Sequence, residues 1–178
     1  VKRAIPLEEI RRLRELDLTR SPSLAYARDI FMFSFYTRGM SFIDMAFFEK
    51  ERLAEWYFVL SPTEDGATVV HQMGKPMQEI INRYDTQGSP YLLPIIRDLE
   101  ADGRKQYKKN CSFGESKTEE TWDAVRIIYT FNYICCPPCL ASIAKSKNVA
   151  LSVISEAMGH DSENTTRIYL ASLDTSLV

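Results

Sequence analysis

Apolar residues recur at helical spacing over most of the chain. Leu7, Ile10, Leu13 and Leu16 mark a helix over Pro6–Leu16. The stretch "TRSPS" reads as a turn, and Ser21 before Pro22 reads as a helix start. "LAYARDIFMFSFY" (24–36) predicts a strongly apolar helix, broken at Gly39. "SFIDMAFF" opens the next helix with Ser41 as N-cap. Met77–Tyr84 is helical in pattern, 85–90 is a loop, and 91–109 suggests another short helical region. Beyond Ala141 the pattern is regular again. It predicts a helix over 141–147, a second ending at Gly159, a polar loop, and a last helix in "NTTRIYLASL".

Two stretches break this regularity. Residues 47–74 hold no sustained period, and residues 110–140 join polar runs to "CCPPC". All four cysteines lie between Cys111 and Cys139, and both tryptophans, Trp56 and Trp122, fall inside the two windows. A zinc site built on C-C-P-P-C lacks partner ligands, since only Cys111, His71 and His160 remain and the histidines are remote in sequence. A disulfide framework does not suit a chain without a secretion signal.

The 178 residues suffice for one domain with a sizeable core. Composition is ordinary for a globular protein, at 45% hydrophobic and 26% charged. No apolar run approaches the roughly 20 residues that span a bilayer. The net charge of -2 argues weakly against a nucleic-acid partner.

The flanks of the irregular windows carry a family pattern. "ARDIFMFSFYTRGMSFIDMA" (27–46) resembles the first catalytic box of the tyrosine recombinases, the phage-integrase family. "VISEAMGHDSENTTRIYLASL" (153–173) resembles the last box, with a Gly-His pair and a Tyr nine residues after the His. Together, in this order, the two boxes are far more specific than either alone. The resemblance implies a mainly α fold with a small antiparallel β-hairpin or sheet, the integrase catalytic fold. It spans residues 1–178 as one catalytic domain, the C-terminal part of a longer integrase without its N-terminal DNA-binding domains.

The implied activity is site-specific DNA recombination or integration for a mobile genetic element such as a transposon. A Tyr hydroxyl attacks a DNA phosphate and forms a 3′-phosphotyrosyl intermediate, conserving the phosphodiester energy. Tyr169 matches the nucleophile, Arg38 the first catalytic Arg, and His160 the late His. Guanidinium forks suit a phosphoryl transition state because they neutralise charge on its non-bridging oxygens, in place of a metal ion. No metal or other cofactor is implied. The implied partners are double-stranded DNA and three further copies in a DNA-bound tetramer. The resemblance also implies no membrane and a cytoplasmic location, at a bacterial nucleoid. Each residue also has a structural reading: Arg38 bonding helix-end carbonyls, His160 closing a helix after Gly159, and Tyr169 as core.

The chain departs from the family at two places. Where a hairpin should present a Lys as general acid, residues 61–66 read "SPTEDG", placing Glu64 at the Lys. Where a box like Y-V-A-R-H-A-W should supply the second Arg, residues 134–140 read "ICCPPCL". Ile134 takes the first position of that box and Pro137 that of the Arg. The genetic code offers one account of both. The codons ATA-TGT-TGC-CCG-CCA-TGC-TTG-G encode Ile-Cys-Cys-Pro-Pro-Cys-Leu, and shifted by one base they encode Y-V-A-R-H-A-W. The same shift permits a β-hairpin text with a K-T-G turn over 48–73, with the residues at Trp56 and Met73 forced by the code and the others permitted choices. Two local frame slips, over about 47–74 and 110–140, would thus hide the Lys and the second Arg. The alternative function is a catalytically inactive, DNA-binding remnant that carries those slips.

Overall fold

The computed structural model describes residues 5–54, 57–59, 70–106, 136–158, 160 and 162–174. The described structure is mainly helical. It divides into two compact units, one of Val1–Gly39 with Thr118–Val178 and the other of Met40–Lys117.

The first unit begins with α1 (Leu7–Glu15) and α2 (Pro22–Tyr36). Helix α1 buries Ile10 and Leu13 and lines its outer face with Glu8–Arg11 and Glu9–Arg12 pairs. Such exposed i,i+3 pairs add only a few tenths of a kcal/mol each. Helix α2 starts with Pro22 in its first turn, where the missing N–H costs no hydrogen bond. It is buried on most sides, as an all-round apolar helix should be: Ile30, Phe31, Met32 and Phe33 are all enclosed. One charge is enclosed with them. Asp29 is 2% exposed and accepts from Arg28 Nε at 3.1 Å. Arg28 Nη1 in turn donates to the Leu16 carbonyl at 2.7 Å, tying the end of α1 to α2. A buried carboxylate is tolerable only when paired in this way.

The same unit ends with α5 (Cys136–Ser146), α6 (Leu151–Met158) and α7 (Glu163–Asp174), which pack on one another, with α5 also against α2. Ala141, Ile154 and Leu170 form their buried centre, with Ala144, Leu151, Met158 and Tyr169 packed around it. Helix α5 starts five residues earlier than periodicity predicts. Pro137 and Pro138 fall in its first turn, where proline neither removes an intrahelical bond nor clashes with a preceding turn. The two prolines therefore open the helix. Cys139 is fully buried, and the Ile5 N–H donates to its Sγ at 3.1 Å.

In the second unit, α3 (Phe42–Ala46) is capped as the sequence indicates. Ser41 Oγ accepts the Asp44 N–H at 3.2 Å. The helix ends at Ala46, short of the expected Phe47 and Phe48, whose backbones leave it for a bridge. Lys50 N–H bonds the Pro90 carbonyl and Leu92 N–H bonds the Phe48 carbonyl, both at 2.8 Å, around the Glu49–Tyr91 pair. A 3-10 turn (Lys50–Arg52) leads into β1 (Leu53–Ala54), β2 (Tyr57–Val59) and β3 (Val70–Gln72). They pair antiparallel in the order β1-β2-β3, with Ala54 opposite Tyr57 and Val59 opposite Val70. The irregular window 47–74 thus holds strands of two or three residues, too short to leave a period-2 signal. Helix α4 (Lys75–Asn82) follows, with Pro76 in its first turn and Met77 and Ile80 buried. Residues 91–102 are irregular, and only 103–106 make a helical turn, so the expected helical region over 91–109 shrinks to that turn in the part described. Leu92, Leu93, Ile95 and Ile96 are buried there without a helix to present them.

Candidate functional site

Helix α2 ends in a hydrogen-bonded corner. Gly39 N–H reaches back to the Ser34 carbonyl at 2.8 Å, and Arg38 N–H to the Phe35 carbonyl at 3.2 Å. These are the two bonds of a Schellman motif, with Arg38 in the position usually given to glycine. Arg38 has φ 60° and Gly39 φ 96°, so both lie in the left-handed region. For an L-residue that conformation costs roughly 1–2 kcal/mol relative to the right-handed one. The corner is anchored by Thr37, which is buried and whose Oγ1 donates toward the Phe33 and Ser34 carbonyls at 2.8 and 3.1 Å. Arg38 itself is exposed. It sits on a backbone that a glycine would adopt at lower cost.

His160 sits at a second helix end. Its N–H bonds the Ser155 carbonyl at 3.1 Å, the long back-bond that closes α6. The ring is half-buried. Its Nδ1 lies 2.8 Å from Thr166 Oγ1, and Thr166 is 0% exposed. The ring meets Tyr169 edge to face, centroids 5.8 Å apart and planes at 74°.

Helix α7 supplies both contacts from one face. Thr166, Tyr169 and Leu170 are at i, i+3 and i+4. Leu170 enters the core and Tyr169 is half-buried against it. The start of α7 is set by Ser162, whose Oγ accepts the Thr165 N–H at 3.3 Å. The opposite face is open, with Ile168 64% exposed.

The structure thus brings His160 and Tyr169 into contact and holds Arg38 in the same compact unit, on an exposed corner. Glu64 and Ile134 lie outside the described residues. Pro137 is placed in the first turn of α5. Sequence reading missed Thr166. Its signal was present in the spacing, one helical turn before Tyr169. Among the described residues no group of three His, Cys, Asp or Glu side chains could hold a metal ion. No described helix is long and apolar enough to cross a membrane. Compared with models of protein families, with curated proteins and with solved structures, the chain matches none.

Proposed function

We propose that this chain is the catalytic part of a tyrosine-type site-specific recombinase, with the integrase catalytic fold, acting on double-stranded DNA as a tetramer. The observation that carries the reading is the His160–Tyr169 contact, formed between residues nine apart and supported by one face of α7. Tyr169 attacks a phosphorus atom of the DNA backbone. The bond from its phenol oxygen to phosphorus forms and the bond to the 5′-oxygen breaks; the phenol proton passes to water, and the leaving 5′-oxygen takes a proton from water to end as a hydroxyl. Arg38 lies exposed on a fixed corner, suited to neutralising charge on the phosphate oxygens. His160 beside Tyr169 offers a ring nitrogen to the same phosphate. On this reading the segment that holds the three short strands corresponds in sequence to the family's Lys-bearing hairpin.

Glu64 and Pro137 favour a second reading for the chain as written, a DNA-binding remnant without strand cleavage. A carboxylate repels the phosphate, and proline has no group to donate. Loss of one transition-state donor costs on the order of 10²–10³ in rate.

The test is covalent capture. The chain is incubated with randomised nicked duplexes, and DNA that stays attached under denaturing conditions is recovered. A DNA adduct that disappears in Tyr169→Phe supports the recombinase. Salt-sensitive duplex binding without an adduct supports the remnant. Neither binding nor adduct sinks both. Resequencing the gene across codons 40–145 then decides whether single-base slips separate this chain from a form carrying the Lys and the second Arg.

A further inference from the structure

Besides Tyr169, two hydroxyl-bearing side chains lie beside His160, one at its backbone and one at its ring. Ser155 Oγ lies 3.5 Å from the His160 carbonyl, at the backbone. Thr166 Oγ1 lies 2.8 Å from Nδ1. We infer that Thr166 is a positioning residue: its hydroxyl donates to Nδ1 and holds the neutral His160 ring in the tautomer that carries its proton on Nε2.

The geometry restrains the heavy atoms of this contact from several sides. Thr166 is fully buried, one turn into a helix whose start Ser162 caps. The His160 backbone is held by Ser155. The ring face is limited by Tyr169 from the same helix as Thr166. Among the described residues, the ring has Nδ1 engaged with protein and Nε2 remaining. In a neutral imidazole the role of the second nitrogen follows from the hydrogen bond made by the first. A hydroxyl proton given to Nδ1 makes Nε2 a donor. A donor is the useful role beside a phosphate, where negative charge grows on oxygen in the transition state. That consequence deepens the recombinase reading and rests on it, whereas the tautomer does not.

The test is nitrogen-15 NMR of the full chain at a pH well above ordinary imidazole titration. The chain has two histidines, so His71→Asn leaves His160 as the single ring. The expected spectrum shows a protonated Nε2 and an unprotonated Nδ1, unchanged in Thr166→Ser and averaged between tautomers in Thr166→Val. A protonated Nδ1 in the otherwise unaltered chain overturns the inference. So does a folded Thr166→Val with the tautomer intact. Should the valine variant fail to fold, the serine variant decides: the shared Nε2–H tautomer supports the inference and its loss overturns it. A failed covalent capture with the tautomer in place removes the recombinase reading alone. A wrong tautomer with successful capture removes only the role of Thr166.

Discussion

The corners that end α2 and α5 are built alike and occupied differently. After α5, Val149 N–H bonds the Ala144 carbonyl and Asn148 N–H bonds the Lys145 carbonyl, both at 3.0 Å, with Asn148 at φ 57°. After α2, the same two bonds place Arg38 at φ 60°. Asparagine enters the left-handed region readily because its short side chain bonds locally. Arginine has no such compensation. The α5 corner carries a residue suited to its backbone. The α2 corner carries one whose backbone is strained and whose side chain is exposed. Strain of this kind persists where the surrounding structure over-determines it, and it clusters at functional sites. On the recombinase reading, the guanidinium and not the turn is the reason for Arg38.

The largest expected effect separates the two corners by activity. On the recombinase reading, Arg38→Gly lowers DNA cleavage by about 10²–10³ in the covalent-capture assay, applied to a form carrying the Lys and second Arg. The same change relieves the left-handed strain and raises stability by about 0.5–1 kcal/mol. In a thermal melt that is an increase of about 1–4 °C. Opposite signs for activity and stability support the comparison. A melt that falls breaks it.

At the matched position after α5, Asn148→Ala should lower stability by about 1 kcal/mol, while Asn148→Gly leaves it within about 0.5 kcal/mol. Chemical denaturation of the two variants side by side checks this. Equal losses would show that the Asn148 side chain, and not its backbone, holds the corner.

The supporting hydroxyls should differ less. Thr37→Val removes the buried hydroxyl that bonds the Phe33 and Ser34 carbonyls and costs about 1 kcal/mol. Ser146→Ala removes a solvent-exposed bond to the Ile143 carbonyl and stays within about 0.5 kcal/mol. A Ser146→Ala loss as large as that of Thr37→Val would remove the distinction between the buried and the open corner.

The smallest effect belongs to the connection between α1 and α2. The Thr19 hydroxyl and N–H both bond the Asp17 carboxylate, at 2.8 and 3.1 Å, and hold its pKa below the ordinary value. A depressed folded-state pKa stabilises the fold above the ordinary aspartate pKa. That contribution fades as pH falls through the folded value. Carbon-13 titration of Asp17 should therefore move up toward the ordinary value in Thr19→Ala. An unmoved midpoint would assign the shift to something other than the hydroxyl bond, such as the backbone N–H bond that alanine keeps.

Legibility followed the range of the forces involved. The apolar spacing of α1, α2, α6 and α7 could be read directly, because a helix closes its bonds within four residues and its buried face repeats every turn. The end of α2 was legible at Arg38–Gly39, but not the fact that Arg38 itself takes the left-handed position one residue before the glycine. The strands β1 to β3 were not legible in the chain as written. Their stability lies in the partner strand and not in their own two or three residues.

The candidate site divides in the same way. Arg38, His160 and Tyr169 stood out in the amino-acid sequence by their places in two stretches that resemble recombinase boxes. The sequence pattern also predicted the last helix, "NTTRIYLASL", that carries Tyr169. Only the tertiary structure decided that His160 meets Tyr169 edge to face, that Thr166 takes Nδ1, and that two prolines open α5. Each of these depends on where one helix ends relative to the next, and that is set by packing around Ala141, Ile154 and Leu170. Packing couples residues far apart in the chain, and no local pattern of polar and apolar positions encodes it.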